Sequence, residues 1–204
     1  MLQAEQLECE RAGRKLFRGL SLILEKGDLL RVAGANGSGK TSLLRILCGL
    51  LTPDGGEVRW QSSDIRGLRE EYSKQLVFIG HATALKDELT AAENLAVTCA
   101  LAGLRVDEEK VHGALQVFGL SGKDDLVKKL SQGQRRRAQL ARLALSESIP
   151  LWLLDEPFAA LDASAARLVE ELIGRHVARG SIVVFTTHQE TRMEGARVLD
   201  LGAG

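Results

Sequence analysis

The chain has 204 residues, 45% of them apolar, enough for one domain-sized core with room for a sub-lobe. Lysine plus arginine and aspartate plus glutamate both number 27, so no net charge draws the whole chain toward nucleic acid or anionic lipid. Apolar runs such as Leu151 to Leu154 and Ile182 to Phe185 fall far short of the roughly 20 residues that span a bilayer.

In chain order, Met1-Leu2-Gln3-Ala4-Glu5-Gln6 lacks the cationic then apolar order of a secretory leader, so residence in the cytoplasm is expected. Cys9, Cys48 and Cys99 lie far apart, without the pairing of a disulfide framework or a zinc site, and are expected to be small core residues with no chemistry. Leu29 to Ala33 reads as a strand entering a Gly-rich turn. Residues 41–51 then read as a helix with Leu43, Leu44 and Leu47 on one face, stopping at Gly49 with Pro53 beyond. Further strands are predicted over 58–61, Leu76 to Ile79, Leu151 to Leu154, Ile182 to Thr186 and 198–201. Between Leu85 and Arg142 the pattern turns helical, broken at Gly103, Gly119 and Gly122, with no strand. The division expected is a catalytic α/β lobe over 1–84 and 143–204 and a helical lobe over about 85–142.

The turn after the first predicted strand, Gly34-Ala35-Asn36-Gly37-Ser38-Gly39-Lys40-Thr41, fills the pattern GxxxxGK[ST] between a strand and a helix. Glycines let such a loop aim successive N–H groups at phosphate oxygens, and the positive end of the next helix reinforces them. Lys40 is expected to reach the β and γ phosphates of a nucleotide, Thr41 to give a hydroxyl to Mg²⁺, and Ser42 to complete the phosphate-binding set. Leu151 to Leu154 then ends in Asp155-Glu156, where a buried strand delivers Asp155 beside the Mg²⁺ shell and Glu156 beside the attacking water.

Leu130-Ser131-Gln132-Gly133-Gln134 precedes a predicted helix over 135–145 and resembles the signature LSGGQ of ATP-binding-cassette proteins, with Gln132 in place of one glycine. The resemblance implies the ATP-binding-cassette type of P-loop NTPase fold, a RecA-like mixed sheet with an N-terminal antiparallel β part and a helical sub-lobe. It implies ATP hydrolysis in a head-to-tail homodimer, where Ser131, Gly133, Gln134 and the helix they open face the nucleotide held by the other copy. Ala160-Leu161-Asp162 resembles the loop that communicates across that dimer, and His188 the histidine that contacts the γ-phosphate. His112 and His176 lack such context and are read as surface residues. His81 stands where most cassettes place a glutamine beside Mg²⁺, and is a candidate at the metal's edge. Arg11 falls where an aromatic usually stacks on adenine, with Phe17 the alternative if the register differs. Arg135-Arg136-Arg137 points three ways on a helix and is read as a solvated face with intramolecular pairing rather than a nucleic-acid patch.

Leu7 to Arg11, Gly80-His81, Leu85-Lys86, Leu89 to Leu95, Leu130 to Arg137, Leu151 to Asp162 and Thr186-Thr187-His188-Gln189 together are similar to the ATP-binding subunits of bacterial cytochrome c maturation haem exporters. That likeness implies integral membrane subunits as partners at the cytoplasmic face of the inner membrane, and release of haem-loaded chaperone on the far side, with no direct haem binding by this chain. Leu85 and Leu89 are candidates for a socket that receives a partner's helix, with packing inside the helical lobe as the alternative. An ATPase subunit of another transporter is the near alternative. A soluble cassette acting on ribosomes or DNA lacks its usual second cassette or heptad insertion here, and a P-loop kinase would not need the signature.

Overall fold

A computed structural model describes residues 1–120, 122, 125–188, 193 and 195–202. Gln189 of the last motif lies outside the described residues.

The chain opens with strands β1 (Leu2–Arg11) and β2 (Arg14–Leu24), paired antiparallel. Ala12 and Gly13, with φ of 52° and 73°, make the tight reversal between them, a two-residue turn whose twist suits a hairpin. Next come β3 (Leu29–Ala33), α1 (Lys40–Leu47), β4 (Gly55–Trp60), β5 (Ser63–Asp64), α2 (Arg69–Ser73) and β6 (Leu76–Ile79). A helical segment follows, α3 (Ala91–Leu101), α4 (Glu108–Val117) and α5 (Gln132–Leu140), then β7 (Leu151–Leu154), α6 (Ala163–Ala178), β8 (Ile182–Thr186) and β9 (Arg197–Asp200).

Two sheets result, an antiparallel one in the order β2-β1-β4-β5 and a parallel one in the order β6-β7-β8-β3-β9. The inner parallel strands β7 and β8 are buried along their whole length, and side-chain alternation splits them between two cores, whereas the edge strand β9 is largely exposed. In β7, Trp152 and Leu154 join the core shared with α6 and the helical segment, while Leu151 and Leu153 join the core shared with α1 and the antiparallel sheet. Val183 and Phe185 against Ile182 and Val184 repeat the division in β8. Close approach of β4 to a bulge in β1 fixes Gly56, whose φ is 81° and where a Cβ would sit 2.3 Å from the Glu5 carbonyl oxygen.

Several expectations shift at their edges. The helix expected over 41–51 runs only from Lys40 to Leu47. Gly49 takes φ 77°, its N–H reaches the Ile46 carbonyl and that of Leu50 the Arg45 carbonyl, a Schellman closure that leaves Leu50 and Leu51 outside. The helix expected over 135–145 starts earlier, because Ser131 caps it, and after Leu140 tightens into a 3₁₀ turn over Ala141–Leu145. His176, expected on the surface, is 1% exposed and stacked on Trp152 with ring centroids 3.7 Å apart. Amphipathic α6 turns this face inward, and the Trp152 ring offers it a flat partner. Cys9 and Cys99 are buried, Cys48 is half-buried, and all three are free, with burial pushing their thiols upward.

Candidate functional site

The loop between β3 and α1 is shaped by glycine. Gly34, Gly37 and Gly39 hold φ of 138°, 78° and 103°, where L side chains are strained. A Cβ at Gly34 would lie 2.6 Å from Ser38 Oγ, and one at Gly39 3.0 Å from the Leu16 Cβ. Helix α1 starts here with no side-chain cap and no acid in its first turn, so its positive end is left open to the loop. Lys40 is 7% exposed, and its ammonium donates to the Gly34 and Ala35 carbonyls at 2.8 and 3.0 Å. Ser38 Oγ is buried without a partner. An open helix end, an orphan hydroxyl, a buried cation and a loop that a Cβ would fill fit a bound phosphate chain.

Facing it is the end of β7. Asp155, 2% exposed, accepts from Thr41 Oγ1 on one carboxylate oxygen and from Thr186 Oγ1 on the other, both at 2.8 Å. These contacts hold the carboxylate beside the Thr41 hydroxyl, a hard oxygen pair of the kind Mg²⁺ takes. Glu156 is left-handed, with φ 51°, and its N–H reaches Thr186 Oγ1 at 2.9 Å. Its Oε2 accepts from the His188 backbone N–H at 3.2 Å, and His188 Nε2 lies 3.2 Å from Oε1. The latter contact has ion-pair distance when the ring is protonated but lacks hydrogen-bond alignment, so Oε1 is buried without a hydrogen bond.

A cavity of about 780 Å³ joins these groups, lined by Asn36, Gly37, Gly39, Lys40, Thr41 and Ser42 from the loop and α1, by Asp155 and Glu156 from the end of β7, and by His81 and His188. Arg11 and Leu16 also line it, whereas Phe17 does not and packs against Gly39. Arg11 Nη1 donates to Asp54 Oδ2 at 3.3 Å and to the Glu10 carbonyl.

The signature residues stand apart from this cavity. Ser131 Oγ accepts from the Gln134 N–H at 3.3 Å, and Gln134 Oε1 from the Ser131 N–H at 2.9 Å, a capping box on α5. Gly133 is pressed against the loop after Glu156, since a Cβ there would lie 3.1 Å from the Ala160 carbonyl oxygen. Asp162 caps α6, accepting from the N–H groups of Ser164 and Ala165 at 3.1 and 2.8 Å. The Ser164 hydroxyl and the Ala165 amide hold its carboxyl below the usual range. Within one chain, then, Ser131, Gly133, Gln134 and Asp162 do not meet Lys40 and Thr41.

Two residues at this site escaped sequence reasoning. Thr186, 0% exposed, ties Asp155 to Glu156; its signal is a hydroxyl at the end of an otherwise apolar strand. Arg136 is a correction: it is 3% exposed rather than solvated, and its guanidinium donates to the Gly80, Asp155 and Glu156 carbonyls. Desolvation pulls its pKa down to about 10, against the upward pull of the Asp155 and Glu156 charges. Arg135 does pair within the chain, with Asp87 at 2.7 Å.

Residues 17–159 match the ABC transporter family model. A cytochrome c biogenesis ATP-binding export protein CcmA of Nitrosospira multiformis is 51% identical over 198 residues, covering 97% of this chain and 96% of the relative. The protein of the same name from Salmonella typhi is 46% identical over 190 residues, covering 93% and 90%. A dimeric ATP-binding cassette in a post-hydrolysis state bound to ADP and Pi superposes with a TM-score of 0.84 at 22% identity, covering 99% of this chain and 94% of the other. A putative ABC transporter ATP-binding protein from Pyrococcus furiosus gives 0.83 at 23%, covering 98% and 96%. These solved structures carry the fold, and the closer relatives carry the branch. The chain is a member of the ABC transporter family and, within it, of the cytochrome c biogenesis ATP-binding export proteins.

Proposed function

We propose that this ABC ATPase hydrolyses ATP at the cavity between α1 and β7 and, through integral membrane subunits at the cytoplasmic face of the bacterial inner membrane, drives release of haem-loaded chaperone for cytochrome c assembly. The observation that carries the site is the convergence of the glycine loop and Lys40 with Asp155 and Glu156 in one cavity. ATP lies with its phosphates in the loop from Gly34 to Thr41, Lys40 exchanging its two carbonyl partners for phosphate oxygens. Thr41 and Asp155 would hold Mg²⁺, which would supply positive charge to offset that of the phosphates. Glu156 Oε1, buried without a hydrogen bond, is the acceptor for a water aimed at the γ-phosphate, and His188 contacts that phosphate. His81 would serve at the edge of that metal, and the Arg11 guanidinium would lie on the adenine face.

Ser131, Gly133, Gln134 and Asp162 complete the site from a second copy, so the working ATPase is a homodimer with ATP at its interface. Domain organisation follows the same logic: 85–142 forms the helical signature lobe, and 1–84 with 143–204 the catalytic lobe. Leu85 packs against the core that the helical lobe shares, the alternative reading, beside a crevice of about 60 Å³ that Asn94 and Gln139 also line, which leaves the half-buried Leu89 to be offered to a membrane partner's helix. No helix among the described residues is long and apolar enough to cross a membrane, so the bilayer contact is a partner's. Glu156→Gln tests the assignment: ATP stays bound while turnover falls by at least about 100-fold, and wild-type turnover refutes it. Pull-down from detergent-solubilised membranes tests the branch: haem-handling membrane proteins support it, and ribosomal proteins overturn it.

A further inference from the structure

The strand end that delivers Glu156 is held from outside the sheet. Backbone links inside the sheet account for one side, with the Asp155 N–H donating to the Ile79 carbonyl at 2.7 Å. On the other side a single guanidinium collects three carbonyls. Arg136 Nη2 donates to Asp155 O at 3.0 Å and Glu156 O at 2.6 Å, and Nη1 to Gly80 O at 2.9 Å. Gln139, one turn along the same helix, accepts from Nη1 and passes its own amide to Ala82 O at 3.1 Å. The loop carrying His81 and the turn carrying Glu156 are thus both pinned to α5.

Burial makes this pin directional. At 3% exposed, the guanidinium has no water to replace a lost carbonyl, so it follows those carbonyls or they follow it. Glu156 needs such a hold, because its left-handed backbone is unfavourable for a residue with a side chain and persists only where neighbours over-determine it. Its N–H is fixed by Thr186 and its C=O by Arg136, which together set where the carboxylate points. Arg136 lies within two turns of Ser131, the cap that opens α5.

We propose that Arg136 is a positioning residue that sets the catalytic carboxylate's backbone from the signature helix, so that engagement of Ser131 by a second copy's nucleotide is felt at Glu156. The proposal rests on Glu156 being the water-polarising group. A displacement of α5 carries the guanidinium with it, and the carbonyls of Gly80, Asp155 and Glu156 move together.

The test uses Arg136→Met, Arg136→Gln and Arg136→Lys in the full chain, the first two also combined with Glu156→Gln. Steady-state ATP turnover, ATP affinity by titration calorimetry and thermal melting are measured for each. The expected result is a kcat about 10- to 100-fold below wild type with ATP affinity held within about threefold, partial recovery in Arg136→Lys, and no further loss when either change is added to Glu156→Gln. If Arg136→Met fails to melt cooperatively, Arg136→Gln, which keeps one amide donor, is read in its place. Wild-type kcat in the folded variants, a parallel loss of affinity, multiplicative losses in the double variants, or unfolding of both Arg136→Met and Arg136→Gln overturns the proposal. Wild-type turnover in Glu156→Gln alone instead removes the reading of Glu156, which separates the two failures.

Discussion

Helix α1 begins at the cavity and helix α5 apart from it, and their first turns are finished in opposite ways. Helix α1 starts from left-handed Gly39 with no side-chain cap, so its N–H groups are left to whatever enters the loop. Helix α5 starts from Ser131 and closes on itself through the capping box with Gln134. The lesson is that phosphate loop and signature are not the same device used twice. One end is built open and holds its cation in reserve. The other has two of its N–H groups, those of Ser131 and Gln134, already taken within the chain.

The sharpest break in this comparison is Lys40→Ala. Removing the buried cation at the open end should weaken ATP binding by about 100-fold or more, read by calorimetry, while melting stays near wild type. Unchanged affinity would mean that the open end does not hold the phosphates.

A second measurement fixes the pH window in which the two ends are compared. His176 is buried with neither ring nitrogen in a well-formed hydrogen bond, and burial, partly offset by the Ile149 backbone, pushes its pKa down to about 4. A folded-state pKa below the ordinary value means that protonation favours the unfolded chain. The stability is therefore present above about pH 6.5 and is lost as pH falls toward 4. At pH 5 the loss from this ring should be about 2 kcal/mol, seen as a lowered melting temperature. His176→Phe should flatten that slope; an unchanged slope would place the acid sensitivity elsewhere.

The smallest effect is the most diagnostic. Ser131→Ala and Thr90→Ala each remove a capping-box hydroxyl, from α5 and α3 respectively, and should each cost about 1 kcal/mol of stability. Only Ser131→Ala should also lower turnover, by about tenfold, with single-chain ATP affinity unchanged. Equal turnover in the two variants would reduce the signature cap to a purely structural one.

Much of this site could be read along the chain because it is local. Gly34 to Thr41 needs its spacing and the strand before it, and Asp155-Glu156 needs only the apolar run that precedes it. The hairpin of β1 and β2 was harder: its register shifts at Ala4, Leu7 and Cys9 break the period-two pattern, and β2 is largely exposed, so no alternation marks it. Arg136 was illegible for a different reason. Three adjacent arginines look alike in sequence, and only the placement of α5 against the ends of β6 and β7 selects the middle one for burial.

The alternation in β7 has one more consequence. Trp152 and Leu154 fill one core, Leu151 and Leu153 the other, and the two carboxylates follow immediately. A single residue inserted between Leu154 and Asp155 would leave the four apolar side chains in their two cores and turn the carboxylates to the opposite face. The strand therefore works as a ruler as much as a wall. What it measures is the spacing between the core-facing residues and Asp155.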